Sequence, residues 1–347
     1  MEEQIYYSPI QERMKRMAQK EEVVKGLDLT NTILEVAVSD IDKFENDDYI
    51  ILRRQGFGAS DSSVILGVNP YKTLPELIKE KASNVITEEE RAVSKKAAVR
   101  KGVDLEPLII QKFQHYFKKE CIKPKDMYRC KPAPQLTINF DGVTGTPEQY
   151  IPTEIKVVTM YGEKHYNPLK AIFDEINGFK PLPEDISNTN NSIETKASLY
   201  GIPPYYYTQL QQQMYGLNAP FGYLSVLFDR DWIMRTFLIY RDEQVIQELI
   251  QKSGVAWEQV LALKNKIWYN NNSEMNFSFY IFYLFVTITK SLSNTPMLLR
   301  DYYLHFKNEY AIIKLSQVVF FVLTRLYALF VTKNPTDFFS RVFCYYL

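Results

Sequence analysis

Several residues in this chain have the right types and spacing for metal-assisted or phosphate chemistry, and each has a plainer reading. Glu154-Ile155-Lys156 comes first. Alternate side chains of a strand share a face, so Glu154 and Lys156 point together while Ile155 and Val157 face the other way. A carboxylate beside an ammonium can hold a metal and orient a water. The tripeptide alone says little, since a chain of this composition contains on the order of one by chance. A second copy, Glu194-Thr195-Lys196, lies in a polar stretch with no strand pattern and is read as the chance one. Asp141 stands thirteen residues before Glu154, after the strand-like LTINF and before Gly142. Carboxylates on neighbouring strands can converge on one cation, and oxygen ligands suit Mg²⁺ or Mn²⁺. Taken alone, Asp-Gly favours a hairpin turn over a ligand. Glu106 precedes Ile109, Ile110 and Phe113 by three, four and seven, so it lies on or beside an apolar stripe. An acid there needs a partner or a metal; a glutamate favoured by the helix dipole after Gly102 explains it equally well.

Two further groups are neutral or basic. Gln209, Gln211, Gln212 and Gln213 follow Tyr205-Tyr206-Tyr207. On a helix Gln209 and Gln213 share a face, and Gln211 shares one with Tyr215. Amides can orient a water or a phosphate without adding charge, though a glutamine run is also a low-complexity accident. Arg53-Arg54-Gln55-Gly56-Phe57-Gly58-Ala59-Ser60-Asp61 opens a helix. Helix N-termini and guanidinium forks favour phosphate, and Ser-Asp can equally serve only as a cap.

The elements that must position these residues follow from periodicity. Helices are expected over 9–25, 59–82, 88–119 (broken near Gly102), 205–217 and 243–268. Leu105, Leu108, Ile109, Phe113, Tyr116 and Phe117 make one apolar stripe. Strands are expected over 136–140, 153–158, 222–228 and 233–240, the last two as a hairpin about 229–232. Residues 180–204, rich in Pro, Asn and Ser, read as a long loop or disordered insertion. After residue 274 the texture changes. The last 73 residues hold 19 of the 49 aromatics and none of the 13 glycines, with seven Lys/Arg against three Asp/Glu. The apolar runs 275–289 and 318–331 fall short of the ~18–20 residues that span a bilayer. They read as buried or partner-facing helices, with membrane contact or a translated flanking sequence as the other readings.

Composition bounds the function. Forty-six per cent hydrophobic residues exclude wholesale disorder. Equal totals of 41 Lys+Arg and 41 Asp+Glu mean that nucleic acid, if bound, must meet a local groove. Cys121, Cys130 and Cys344 form no CxxC pair, which excludes a disulfide scaffold and a four-cysteine cluster and suits a reducing compartment. MEEQIYYSPI lacks a basic then apolar leader, so an intracellular protein is expected, with no membrane partner.

Taken in order, the groups carry more than they do singly. RRQGFGASDSSVILGVNPYKT at 53–73, GVDLEP at 102–107, NFDGV at 139–143, EIK at 154–156 and YYTQLQQQM at 206–214 resemble the lambda exonuclease family, also called the YqaJ-like viral recombinases, of the PD-(D/E)xK nuclease superfamily. The resemblance spans about 50–268. It implies an α/β, restriction-endonuclease-like core, a short mixed β-sheet flanked by helices, with the aromatic-rich tail as an extra helical element. The expected division is a helical extension at 1–45, the nuclease domain at 46–270 with a polar insertion at 180–204, and the tail at 271–347. Residue by residue, it implies that Glu106, Asp141 and Glu154 are catalytic metal-binding carboxylates for Mg²⁺ or Mn²⁺. Lys156 would position or deprotonate the water, its pKa lowered by nearby cations, and Gln209 would assist. Arg53, Arg54 and Ser60 would hold phosphate, with Gln211 a weaker candidate for the same DNA-binding role. The implied activity is 5′-to-3′ digestion of double-stranded DNA in phage-type recombination, in a homo-oligomeric ring and with a single-strand annealing protein. A structure-specific endonuclease or resolvase would use the same residues. A non-catalytic DNA-binding scaffold or a membrane-associated protein are the readings from other classes. The 52 residues between Glu-x-Lys and Gln-x-Gln exceed the family's expected spacing.

Overall fold

The computed structural model describes residues 26–93 and 96–292, with side chains through 267. The chain divides into two compact units, Met1–Lys264 and Asn265–Leu347, and the site lies wholly within the first. The helix expected over 9–25 and the tail beyond 292 lie outside the described residues. Among the described residues no helix is long and apolar enough to cross a membrane.

The first unit is a mixed α/β fold built on two sheets. The smaller joins β1 (Leu34–Val38), β3 (Met127–Cys130) and β4 (Ala133–Ile138). The larger has the order β2-β5-β6-β9-β10-β7-β8, with β2 Cys121–Ile122, β5 Val143–Thr146, β6 Gln149–Val158, β7 Phe173–Asp174, β8 Gly178–Phe179, β9 Phe221–Phe228 and β10 Ile233–Tyr240. Its pairings are antiparallel except β6 with β9, where Glu154 stands opposite Leu224 and Lys156 opposite Val226. Parallel neighbours need a long crossover. Here that crossover contains α6 (Ile193–Tyr200) and α7 (Pro204–Leu217).

Six further helices complete the described chain: α1 (Asn46–Arg53), α2 (Ser62–Ile65), α3 (Leu74–Ala82), α4 (Glu88–Val93), α5 (Ala97–Phe117) and α8 (Glu243–Leu292). A 3₁₀ turn at Ala59–Asp61 leads into α2. The single helix expected over 59–82 is thus interrupted, at Gly67 (φ 79°) and the Asn69-Pro70 bend. Conversely, α5 starts at Ala97 and runs unbroken through Gly102 and Pro107. Its stripe of Leu105, Leu108, Ile109 and Phe113 is buried, and that packing overrides the poor local propensities.

The two principal helices cover opposite faces of the large sheet. The Phe113 ring of α5 meets Tyr223, whose strand partner is Thr153. Side chains one residue further along, Glu154 and Leu224, therefore face the α7 side. The expected loop over 180–204 is a correction: it contains α6, capped by Ser192, which accepts from Thr195 N at 3.3 Å. Lys196, in the second Glu-x-Lys, is buried and pairs with Asp242 at 2.6 Å, where the Tyr207 hydroxyl also donates at 2.8 Å. That tripeptide serves packing.

Candidate active site

β6 supplies two of the residues. Glu154 is 1% exposed and Lys156 half-buried, both on the face that α7 covers. Asp141 arrives from the crossing between sheets. Rather than closing a β4–β5 hairpin, Asp141-Gly142 carries the chain from the small sheet to the large one. A Cβ at Gly142 would lie 2.6 Å from Cys121 Sγ and 3.3 Å from Thr153 O, so only glycine allows this close passage. The β6 backbone then fixes the acid: Ile155 N donates to Asp141 Oδ2 at 3.1 Å.

Lys156 Nζ bridges the two carboxylates, 3.1 Å from Asp141 Oδ2 and in tight contact with Glu154 Oε1. From α7, Gln209 Nε2 donates to Glu154 Oε1 at 2.5 Å and Gln213 Nε2 to Oε2 at 2.6 Å. Burial, then repulsion from Asp141, push the Glu154 carboxyl up to about 7 against the pull of Lys156 and Gln213. For Lys156, burial favours the neutral amine, but Asp141 and Glu154 outweigh it and hold the ammonium well above its ordinary range. The expected lowering belongs to a site loaded with cations, which would oppose the upward pull of the two carboxylates.

The other expected residues divide. Glu106 is not brought to this pair: its carboxylate lies 3.0 Å from Lys123 Nζ. Both Glu106 and Asp141 act on Cys121, whose thiol is pushed up to about 12 by burial and then by these two charges. Among the described residues no three acidic, histidine or cysteine side chains form a metal-binding group. Of the expected three carboxylates, two stand together. Gln211 is a correction. It is fully buried, donates to Tyr240 O at 3.0 Å and accepts from Asp242 N at 2.8 Å, so it ties α7 to the end of β10 and has no free amide for DNA. Arg54 is another. It is 5% exposed and donates to Ser83 O, Val85 O and Glu90 Oε1 at 2.9, 3.2 and 2.5 Å.

Arg53 and Ser60, by contrast, are both exposed and adjacent, Nη2 to Oγ 3.4 Å. Their segment is fastened from below. Lys81, 1% exposed, donates to Arg53 O at 2.8 Å and pairs with Asp61 at 2.7 Å; Asp61 in turn accepts from Gly58 N at 2.9 Å. Gln212 donates to both Phe57 O and Thr137 O at 3.0 Å, and the 59–65 segment packs on α7. One helix therefore supports the arginine segment and the carboxylate pair together. Sequence reasoning missed Gln213, Lys81 and Lys123 as supports. Only Gln213 left a signal, its four-residue spacing from Gln209.

The donor set fits a hard divalent cation. Two carboxylates offer oxygens, neutral amides back them, and the raised Glu154 marks a pair of acids whose repulsion a cation would relieve. The fold is thus a mixed α/β one, with Glu154-x-Lys156 on an inner strand of its larger sheet and Asp141 beside them at the crossing from the smaller sheet. Residues 48–216 match the YqaJ-like viral recombinase domain. Among solved structures, the chain is similar to an alkaline exonuclease from Laribacter hongkongensis, with 14% identity, 65% of this chain and 98% of that one covered, and a TM-score of 0.43. It is also similar to a phage-related exonuclease from Haemophilus somnus 129PT, with 13% identity, 61% and 96% covered, and a TM-score of 0.36. Comparison with curated proteins returns no match.

Proposed function

We propose that the chain is a divalent-metal-dependent exonuclease that digests double-stranded DNA from a 5′ end and leaves a 3′ strand for recombination. The observation that carries the catalytic part is the buried Glu154, clamped by two amides and joined to Asp141 through Lys156. Asp141 and Glu154 would hold Mg²⁺ or Mn²⁺, with Glu106 joining if it leaves Lys123; such an ion polarises the attacking water and offsets charge on the phosphate. Lys156, held as an ammonium, donates to developing negative charge and orients the water; in this state it is a poor base. Gln209 and Gln213 keep both Glu154 oxygens in place. Arg53 and Ser60 donate to a phosphate, positioning the strand through its backbone and so with little sequence readout. Polarity, the oligomeric ring and the annealing partner rest on the family resemblance.

The test is digestion of end-labelled linear duplex beside closed circular DNA, with Mg²⁺, Mn²⁺ or chelator. Linear DNA alone should be consumed, from its 5′ ends and only with metal. Glu154→Ala should abolish this and Glu194→Ala, on the exposed face of α6, should not. Cutting of the circle would move the protein to the endonuclease reading.

A further inference from the structure

One set of side chains near the site plays no part in the chemistry above. It is a line of tyrosines leading from Lys156 to the surface. Lys156 Nζ lies 5.7 Å from the centre of the Tyr206 ring. Tyr206 meets Tyr205 edge-on, centroids 4.6 Å apart, and Tyr205 meets Tyr71 edge-on at 6.1 Å. Exposure rises along the line. Tyr206 and Tyr205 are half-buried, whereas Tyr71 is 78% exposed.

Tyr71 is held in place by its backbone. Asn69 Oδ1 accepts from Tyr71 N at 2.8 Å and from Lys72 N at 3.0 Å, while Asn69 Nδ2 donates to Ser63 Oγ at 2.8 Å. Ser63 belongs to α2, which continues directly from the turn that carries Ser60. Tyr71 is thus tied through α2 to the turn that carries Ser60, and its ring meets Tyr205 in the first turn of α7, the helix that clamps Glu154. An exposed tyrosine alone means little. This one ends an aromatic path that begins at Lys156, and its neighbour in sequence is Lys72. The occupant such a place fits has a flat π-face joined to an anionic backbone, which is a nucleotide.

We propose that Tyr71, buttressed by Tyr205, is a stacking site for a nucleobase of the strand that Arg53, Ser60 and Lys156 hold by its backbone. The proposal rests on the nuclease reading and adds a base contact to it. Because every base has a π-face, the contact tolerates any sequence. It steadies the nucleotide next to the scissile phosphate, so its loss raises KM more than it lowers kcat.

The experiment uses the full chain with Ca²⁺ in place of Mg²⁺. The probes are a single-stranded oligonucleotide and a linear duplex with 2-aminopurine in its terminal nucleotides. Wild type should change the 2-aminopurine fluorescence on binding. Tyr71→Ala should lose that change and bind the oligonucleotide on the order of ten-fold more weakly. Tyr71→Phe and Tyr71→Trp should keep both properties, and Tyr71→Leu should resemble Tyr71→Ala. Thermal melting checks that the variants fold, as an exposed side chain predicts. No fluorescence change in wild type, wild-type binding by Tyr71→Ala, or full rescue by Tyr71→Leu would each overturn the stacking site. If instead the aromatic dependence holds while wild type with Mg²⁺ cleaves nothing, the nuclease reading fails and the nucleobase site stands.

Discussion

Gln213→Leu isolates the contribution of the amide clamp. The substitution keeps the volume and removes one donor to Glu154 Oε2, 2.6 Å away. It also removes Gln213 Oε1, which has no hydrogen-bond partner among the described residues, so the two changes offset in folding stability. Glu154 does not share in that balance. A hydrogen bond to a charged group contributes about 1.5–3 kcal/mol, and each 1.36 kcal/mol is about one pKa unit. Losing the donor favours the neutral acid, so the carboxyl moves upward from about 7 by roughly one to two units. In cation-free protein at pH 7, a smaller fraction of Glu154 is then ionised. The Mg²⁺ concentration for half-maximal cleavage at pH 7 should then rise on the order of ten-fold. That gap should narrow as pH climbs past the raised pKa, because both proteins are then ionised. Titrating Mg²⁺ at pH 7 and pH 9, with melting curves as a fold control, measures both. An unchanged Mg²⁺ requirement at pH 7, or a defect equally large at pH 9, would refute the clamp.

Other outcomes follow from the same geometry. Arg53→Ala should erase any preference for 5′-phosphorylated over 5′-hydroxyl ends in competition digests while melting normally. Arg54→Ala should instead lower the melting temperature, since it empties a buried position with three acceptors. Lys156→Ala should cut the single-turnover rate by a factor on the order of 10² with little change in DNA affinity in Ca²⁺; a large affinity loss at unchanged rate would count against it. Lys196→Met leaves Asp242 buried without its cation and should cost about 3–5 kcal/mol in urea unfolding, with cleavage per folded molecule kept. For cation-free protein, Glu154's raised folded pKa means its stabilising influence is complete below the unfolded value of 4.5 and is lost as pH rises to about 7. The loss is about 3 kcal/mol, and unfolding across that window with and without Mg²⁺ should show it recovered by the ion.

The sequence already determined the local frame of the site. Period-two patterning placed Glu154 and Lys156 on one strand face, and the four-residue spacing placed Gln209 and Gln213 on one helix face. The 222–228 and 233–240 runs formed the antiparallel hairpin that their patterning suggested. These are properties of one element at a time, and each is set by backbone geometry. What lay beyond reach depends on which elements meet. Gln209, Gln211 and Gln213 are alike in one dimension. Only the docking of α7 over β6 turns the first and third to Glu154 and the second to Tyr240. Arg53 and Arg54 are neighbours, yet α3 and α4 close over one and leave the other exposed. The pKa of Lys156 follows whichever charges pack nearest, and the folded chain places Asp141 and Glu154 beside it. The two Glu-x-Lys tripeptides have the same chemistry in isolation. Tertiary structure alone separates them, because burial beside a second carboxylate makes Glu154 hard to ionise, whereas burial beside Asp242 commits Lys196 to holding α6 to the start of α8.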